Sequence, residues 1–183
     1  MTVTPEMRAS IAFEHALERG DLLAARNALG DPDDWPNSLD PYLHTYVLSA
    51  ALGCARLETI RQLLRDGADP NLIGLDDGFP ALIDVLHHRR NDRPELRRWG
   101  DRLPLLAELL AAGADVHARG LNDWTALHFA VADDDPIAVW MLLRHGADPD
   151  ARTTIDDFET PLEIAEAHSP RALAAISEWR AQK

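Results

Sequence analysis

Histidine, cysteine and carboxylate are the side chains in this chain that could ligate a metal or attack a substrate, and their spacing supports neither. His87 and His88 are adjacent, so on a helix their rings point about 100° apart and do not share one metal. No cysteine or third histidine falls at ligand spacing, and there is no His-Glu-x-x-His pair. Cys54, the single cysteine, sits between Gly53 and Ala55 with no His or Asp spaced to activate it, so it reads as a packed or idle thiol. A single cysteine also excludes an internal disulfide, which suits a reducing compartment. Carboxylates are abundant, yet no apolar setting isolates one from the rest to separate their pKa values. There is no Gly-rich phosphate loop and no serine elbow. No catalytic residue, metal or cofactor is expected.

What the residues do offer is recognition chemistry. Four short stretches place carboxylate beside an aromatic ring: Asp33-Asp34-Trp35, Asp76-Asp77-Gly78-Phe79, Leu121-Asn122-Asp123-Trp124 and Asp156-Asp157-Phe158-Glu159. One Asp per stretch would follow from turn chemistry alone. Acid and ring together, repeated along the chain, go further, because aromatic rings anchor interfaces and acidic rims steer cationic partners. A second, opposite feature is an arginine cluster. Arg89, Arg90, Arg93, Arg97, Arg98 and Arg102 stand against Asp92, Glu95 and Asp101, a local charge of +3 in a chain of net charge −13. This segment reads either as a solvated helix with internally paired charge or as a contact for a partner's carboxylates, with Trp99 as an anchor.

The bulk composition narrows the partner. A net charge of −13 disfavours nucleic acid and anionic membrane, which need a basic face. No run approaches 18 apolar residues, and charged positions interrupt Met1 to Arg19, so neither a transmembrane span nor a signal peptide is expected, and the chain is placed in the cytoplasm. Of 18 basic residues only Lys183 is lysine, a bias that points to a GC-rich bacterial genome.

The elements that must position these residues are set by a repeated phrase. Gly67-Ala68-Asp69, Gly113-Ala114-Asp115 and Gly146-Ala147-Asp148 each follow a doubled leucine, Leu63-Leu64, Leu109-Leu110 and Leu142-Leu143. The second and third copies start 33 residues apart and the first and second 46 apart, an excess that reads as an insertion of about 12 residues within 88–100. A period of this size marks stacked helix pairs. Gly20 marks a turn between helices at about 5–19 and 21–29, and the polar tail after a last helix at about 170–179 reads as a capping end. The link 30–41, rich in Asp and Pro, is compatible with an ordered finger or a loose connection.

The unit Trp124-Thr125-Ala126-Leu127-His128-Phe129-Ala130 resembles the ankyrin family, carrying its Thr-Pro-Leu-His-x-Ala signature with Ala126 in place of Pro. Thr160-Pro161-Leu162-Glu163-Ile164-Ala165 resembles the same opening, and Leu57-Glu58-Thr59-Ile60 falls where the family has its Leu-Glu-Ile-Val run. The resemblance implies an all-α solenoid of about five helix-turn-helix repeats, at about 5–30, 42–69, 76–115, 121–148 and 156–182. Short β-turn fingers join them, the terminal repeats are degenerate caps, and the whole chain 1–183 forms one domain. It further implies that Thr125 caps a helix and that His128 hydrogen-bonds between neighbouring repeats.

Such folds act by holding a protein along the fingers and first helices. The residues expected to do so here are Asp76, Asp77, Phe79, His87, His88, Leu121, Asn122, Asp123, Trp124, Ala132, Asp133, Asp156, Asp157 and Glu159. Arg89, Arg90, Arg93, Arg97, Arg98 and Trp99 form the second expected contact. The partner is expected to be a protein with a basic surface, and an immunity protein that neutralises a basic toxin fits that description. The alternatives are an adaptor or chaperone-like scaffold, or a self-associating regulator that uses the arginine insert. The oligomeric state stays open, with a monomer favoured.

Overall fold

The computed structural model describes residues 3–54, 56–74, 79–87, 102–155 and 159–182. These form ten α-helices: α1 (Pro5–Arg19), α2 (Leu22–Ala28), α3 (Val47–Gly53), α4 (Leu57–Arg65), α5 (Ala81–His87), α6 (Arg102–Ala111), α7 (Ala126–Ala132), α8 (Pro136–Arg144), α9 (Pro161–His168) and α10 (Pro170–Ala181). They fall into five successive pairs, as the repeats require. β-structure among the described residues is limited to two isolated bridges, Leu39 with Tyr46 and Arg119 with Thr125. The chain divides into two compact units, 1–81 and 82–183.

The repeated phrase explains the helix ends. After α4, the Gly67 N–H donates to the Leu64 carbonyl and the Ala68 N–H to the Leu63 carbonyl, at 3.2 and 2.9 Å. The same two bonds recur from Gly113 and Ala114 to Leu110 and Leu109, and from Gly146 and Ala147 to Leu143 and Leu142. This is the Schellman closure, which needs a left-handed residue at its glycine. Gly67, Gly113 and Gly146 have φ of 95°, 85° and 94°. The alanine that follows is buried, and the Asp then accepts the backbone N–H two residues on: Asp69 from Asn71, Asp115 from His117, Asp148 from Asp150. The first leucine of each doublet, Leu63, Leu109 and Leu142, is fully buried.

In the first unit, α1 starts at its cap Thr4 with Pro5 in the first turn, and stops at Gly20, where φ is 76°. It packs on α2 and α3 around Phe13 and Leu17. The 30–41 link is an ordered finger. Asn37 accepts the Asp69 N–H at 2.8 Å and donates to the Gly67 carbonyl at 3.1 Å, tying the finger to the turn after α4. Buried Asp40 accepts the N–H groups of Tyr42 and Leu43 at 2.8 and 2.7 Å.

In the second unit, α7 lies beside α9, and α8 lies between α6 and α10, so first and second helices make separate layers. Leu106, Leu109, Leu127 and Leu142 fill the space between them. The α7–α8 turn carries Asp133, Asp134 and Asp135, each with its own structural duty. Asp133 and Asp135 grip the Arg102 guanidinium at 2.8 and 2.5 Å, all three side chains being at most 15% exposed. Asp135 also caps α8, accepting from Ile137 and Ala138. Asp134 reaches across to α10, where its Oδ1 accepts the N–H groups of Arg171 and Ala172, both at 2.8 Å. It thereby supplies the cap that Ser169, the residue before α10, does not give.

Candidate functional site

The described part of the expected binding face is built around the start of α7. Gly120 donates to the Trp124 carbonyl at 2.9 Å, and a short 3-10 turn, Leu121–Asp123, closes the finger. Asn122 and Asp123 have φ of 58° and 61°, a left-handed conformation that Asn and Asp tolerate best after Gly. Helix α7 then begins at Thr125, whose N–H donates to Nδ1 of His128 at 3.0 Å. Nδ1 is thus an acceptor, which puts the ring proton on Nε2, 3.4 Å from the Glu159 carbonyl of the next repeat. Burial pushes the His128 pKa down to about 4, so the ring is neutral. Thr125 and His128 hold the places that the ankyrin signature implies for them.

Above this buried pair sits an aromatic cluster. The Trp124 ring stacks on His128, centroids 5.7 Å apart and 23° between planes, and meets Phe129 edge to face at 5.1 Å. Phe129 in turn meets His87 of α5 edge to face at 5.4 Å. Trp124 and His87 are half-buried, and Phe129 is 4% exposed. Two of the expected site residues, Trp124 and His87, are therefore joined through Phe129, which is not itself among the expected site residues.

The acids of the same region are engaged within the fold. Asp123 Oδ2 accepts from the backbone N–H and the hydroxyl of Thr154, at 2.7 and 2.8 Å, and pairs with Arg119 at 2.8 Å. The Thr154 hydroxyl, the Thr154 N–H and Arg119 hold its carboxyl below the usual range. Arg119 also donates to the Arg152 carbonyl, so consecutive fingers are stitched together one repeat apart. Asp133 is committed to Arg102, which removes Arg102 from the free positive charge of the arginine segment. Ala132 and Glu159 are half-buried, Phe79 is half-buried before α5, and Asn122 is exposed. Asp76, Asp77, His88, Arg89, Arg90, Arg93, Arg97, Arg98, Trp99, Asp156 and Asp157 lie outside the described residues.

Other chemistry finds little support. Burial first, then Glu18 and Glu14, pushes the Cys54 thiol up to about 11, far from a reactive thiolate at neutral pH. Among the described residues no three His, Cys, Asp or Glu side chains are grouped to hold a metal ion, and no helix is long and apolar enough to cross a membrane.

Comparison with known proteins agrees with this geometry. Residues 122–154 match the model of the ankyrin repeat family. The chain is 34% identical over 105 residues to an ankyrin repeat-containing protein of Treponema pallidum (strain Nichols), covering 57% of this chain and 31% of that one. It is 30% identical over 117 residues to the RelA-associated inhibitor of Mus musculus, covering 64% of this chain and 12% of that one. The chain thus spans less than a third of either relative. In three dimensions it is similar to the ankyrin repeat domain of Bcl-3, a member of the IkappaB protein family. The TM-score is 0.68 at 24% identity, over 90% of this chain and 66% of that one. Residues 122–154 thus carry an ankyrin repeat by sequence, and the chain has the ankyrin-repeat fold over most of its length.

Proposed function

We propose that this chain is a non-catalytic protein-binding module whose partner presents a basic surface to its fingers and first helices. The observation that carries this reading is a net charge of −13 beside half-buried aromatic rings, Trp124 and His87, gathered on the first-helix layer of the second unit. Such rings give contact area at low entropic cost, and the negative field raises the encounter rate with a cationic partner. Asp76, Asp77, Phe79, Asp156, Asp157 and Glu159, expected from the sequence as further contacts, offer the same acid-and-ring chemistry. Likeness to an inhibitor named for its association with RelA supports a mode of action that works by occupying another protein.

The sharper form of the proposal is immunity. A small basic toxin, such as a nuclease, is the partner for which a strongly acidic cytoplasmic binder gains most, because opposite fields speed association. The test is affinity capture from the native host at low and then high salt, followed by association kinetics with whatever protein is retained. One stoichiometric basic protein, whose association rate falls steeply with salt, is the expected result. A neutral or acidic partner, or a rate indifferent to salt, refutes the electrostatic reading. Retention of several subunits of one assembly would instead establish an adaptor.

A further inference from the structure

The second-helix layer carries a surface of different character. A groove of about 490 Å³ opens between α8 and α10, lined by Trp140, Leu143, Arg144, Gly146, Trp179 and Gln182. Helix geometry explains the grouping: Trp140, Leu143 and Arg144 are spaced i, i+3, i+4 on α8, and Trp179 in the last turn of α10 lies three residues before Gln182, the residue that ends that helix. Leu143 is buried as floor at 2% exposure, whereas both tryptophans are only half-buried. At Gly146, where φ is 94°, nothing lies within 4 Å of the position a Cβ would take, which leaves that end of the groove open.

Charge identifies what the groove suits. Each of the other five described arginines of the second unit has a carboxylate partner. Arg102 has Asp133 and Asp135, Arg119 has Asp123, Arg152 has Glu163, Arg171 has Asp134, and Arg180 has Asp150. Arg144 has none among the described residues, and no acid lines the groove with it. Within the second unit, Arg144 is therefore the one described arginine left without a carboxylate, and it sits beside two indoles. A guanidinium is a fork for carboxylate, and indole faces take flat or aliphatic side chains.

We propose that this groove is a second docking site, for a partner segment that places a carboxylate next to an aromatic or aliphatic side chain. It stands apart from the acidic fingers in sign and in helix layer, and it does not depend on the finger reading. One chain with a cation-seeking first-helix side and an acid-seeking second-helix side can hold two proteins at once.

The experiment follows the indole N–H resonances of Trp140 and Trp179 by NMR in the full chain, assigned through Trp140→Phe and Trp179→Phe. The probe is a terminally blocked Glu-Phe-Glu-Leu-Glu peptide, with Gln-Phe-Gln-Leu-Gln as its neutral counterpart. The acidic peptide is expected to shift both resonances saturably, the neutral one neither. Arg144→Gln is expected to weaken the effect at least fivefold with an unchanged thermal midpoint, since that side chain is exposed. Absence of saturable shifts up to millimolar acidic peptide overturns the proposal, as does an equal response in Arg144→Gln. Shifts that depend on protein concentration alone would assign the groove to a second copy of this chain and overturn it as well.

Discussion

Protonating His128 should unlock the second unit. The ring is fully buried, accepts the Thr125 N–H on Nδ1 and reaches the Glu159 carbonyl through Nε2, so an added proton has no place to go without breaking the first bond. Its pKa falls from the ordinary 6.5 to about 4 in the folded chain. A histidine with a depressed folded value binds protons better when unfolded. Its contribution is therefore intact at pH 7, declines as pH falls through 6.5, and stops declining below about 4. The full gap corresponds to roughly 3 kcal/mol, of which about 2 kcal/mol should be lost between neutral pH and pH near 4.5. Urea unfolding of the wild type and of His128→Asn at both pH values measures it, because contributions from other groups cancel in the difference. The variant should be about 2 kcal/mol less stable at neutral pH, from the orphaned Thr125 N–H, and nearly level with the wild type at the acidic value. A gap that does not change with pH, or an NMR titration of the ring with its midpoint near 6.5, would refute the argument.

Further outcomes follow from the same contacts. Trp124→Ala should cost about 1–2 kcal/mol of stability by uncovering His128 and Phe129, with Trp124→Phe losing less; equal stability of all three in urea would show that the ring is not packed. Asp134→Ala should cost about 1–2 kcal/mol, because it removes the cap of α10 together with the Arg171 pair, and amide exchange at Arg171 and Ala172 should accelerate. Glycine substitutions should split by backbone conformation, since both sites are sterically open. Gly146→Ala, at φ of 94°, should lose roughly 1–2 kcal/mol, while Gly53→Ala, inside α3, should gain up to about 1 kcal/mol; calorimetric midpoints moving in the same direction would contradict this.

What the sequence reveals is local in the chain. Three Gly-Ala-Asp phrases announce three Schellman closures because only the glycine tolerates the left-handed turn, and each Asp closes a turn with a residue two positions on. The roles of Thr125 and Thr160 as helix starts, and of Pro136, Pro161 and Pro170 in first turns, are equally local. What it conceals is long-range pairing. Arg102 meets Asp133 and Asp135 from 31 and 33 positions away, and Asp134 caps a helix 37 positions on. In sequence these residues look like an arginine at the edge of a basic segment and an acidic run on a binding face. Only the helix-pair register turns them into structural ties. Trp140 and Trp179 escaped notice for a related reason: each reads as an ordinary apolar helix position until α8 and α10 are laid side by side.

This distribution of charge separates two quantities that a binding model would otherwise merge. Asp123, Asp133, Asp134 and Asp135 are bonded within the fold, and so contribute little as direct contacts for a partner. Neutralising one of them should lower stability before it lowers affinity. The far field is different, because an internal Arg–Asp pair is already counted as zero in the net charge of −13. Steering therefore depends on the surplus acids wherever they lie, while holding depends on rings and on groups without an internal partner. It follows that salt should act on the association rate of a basic partner, and changes at the aromatic faces on its dissociation rate. Arg144 is the case that sharpens the rule: within an acidic field it can act only at contact distance, beside the indoles that share its groove.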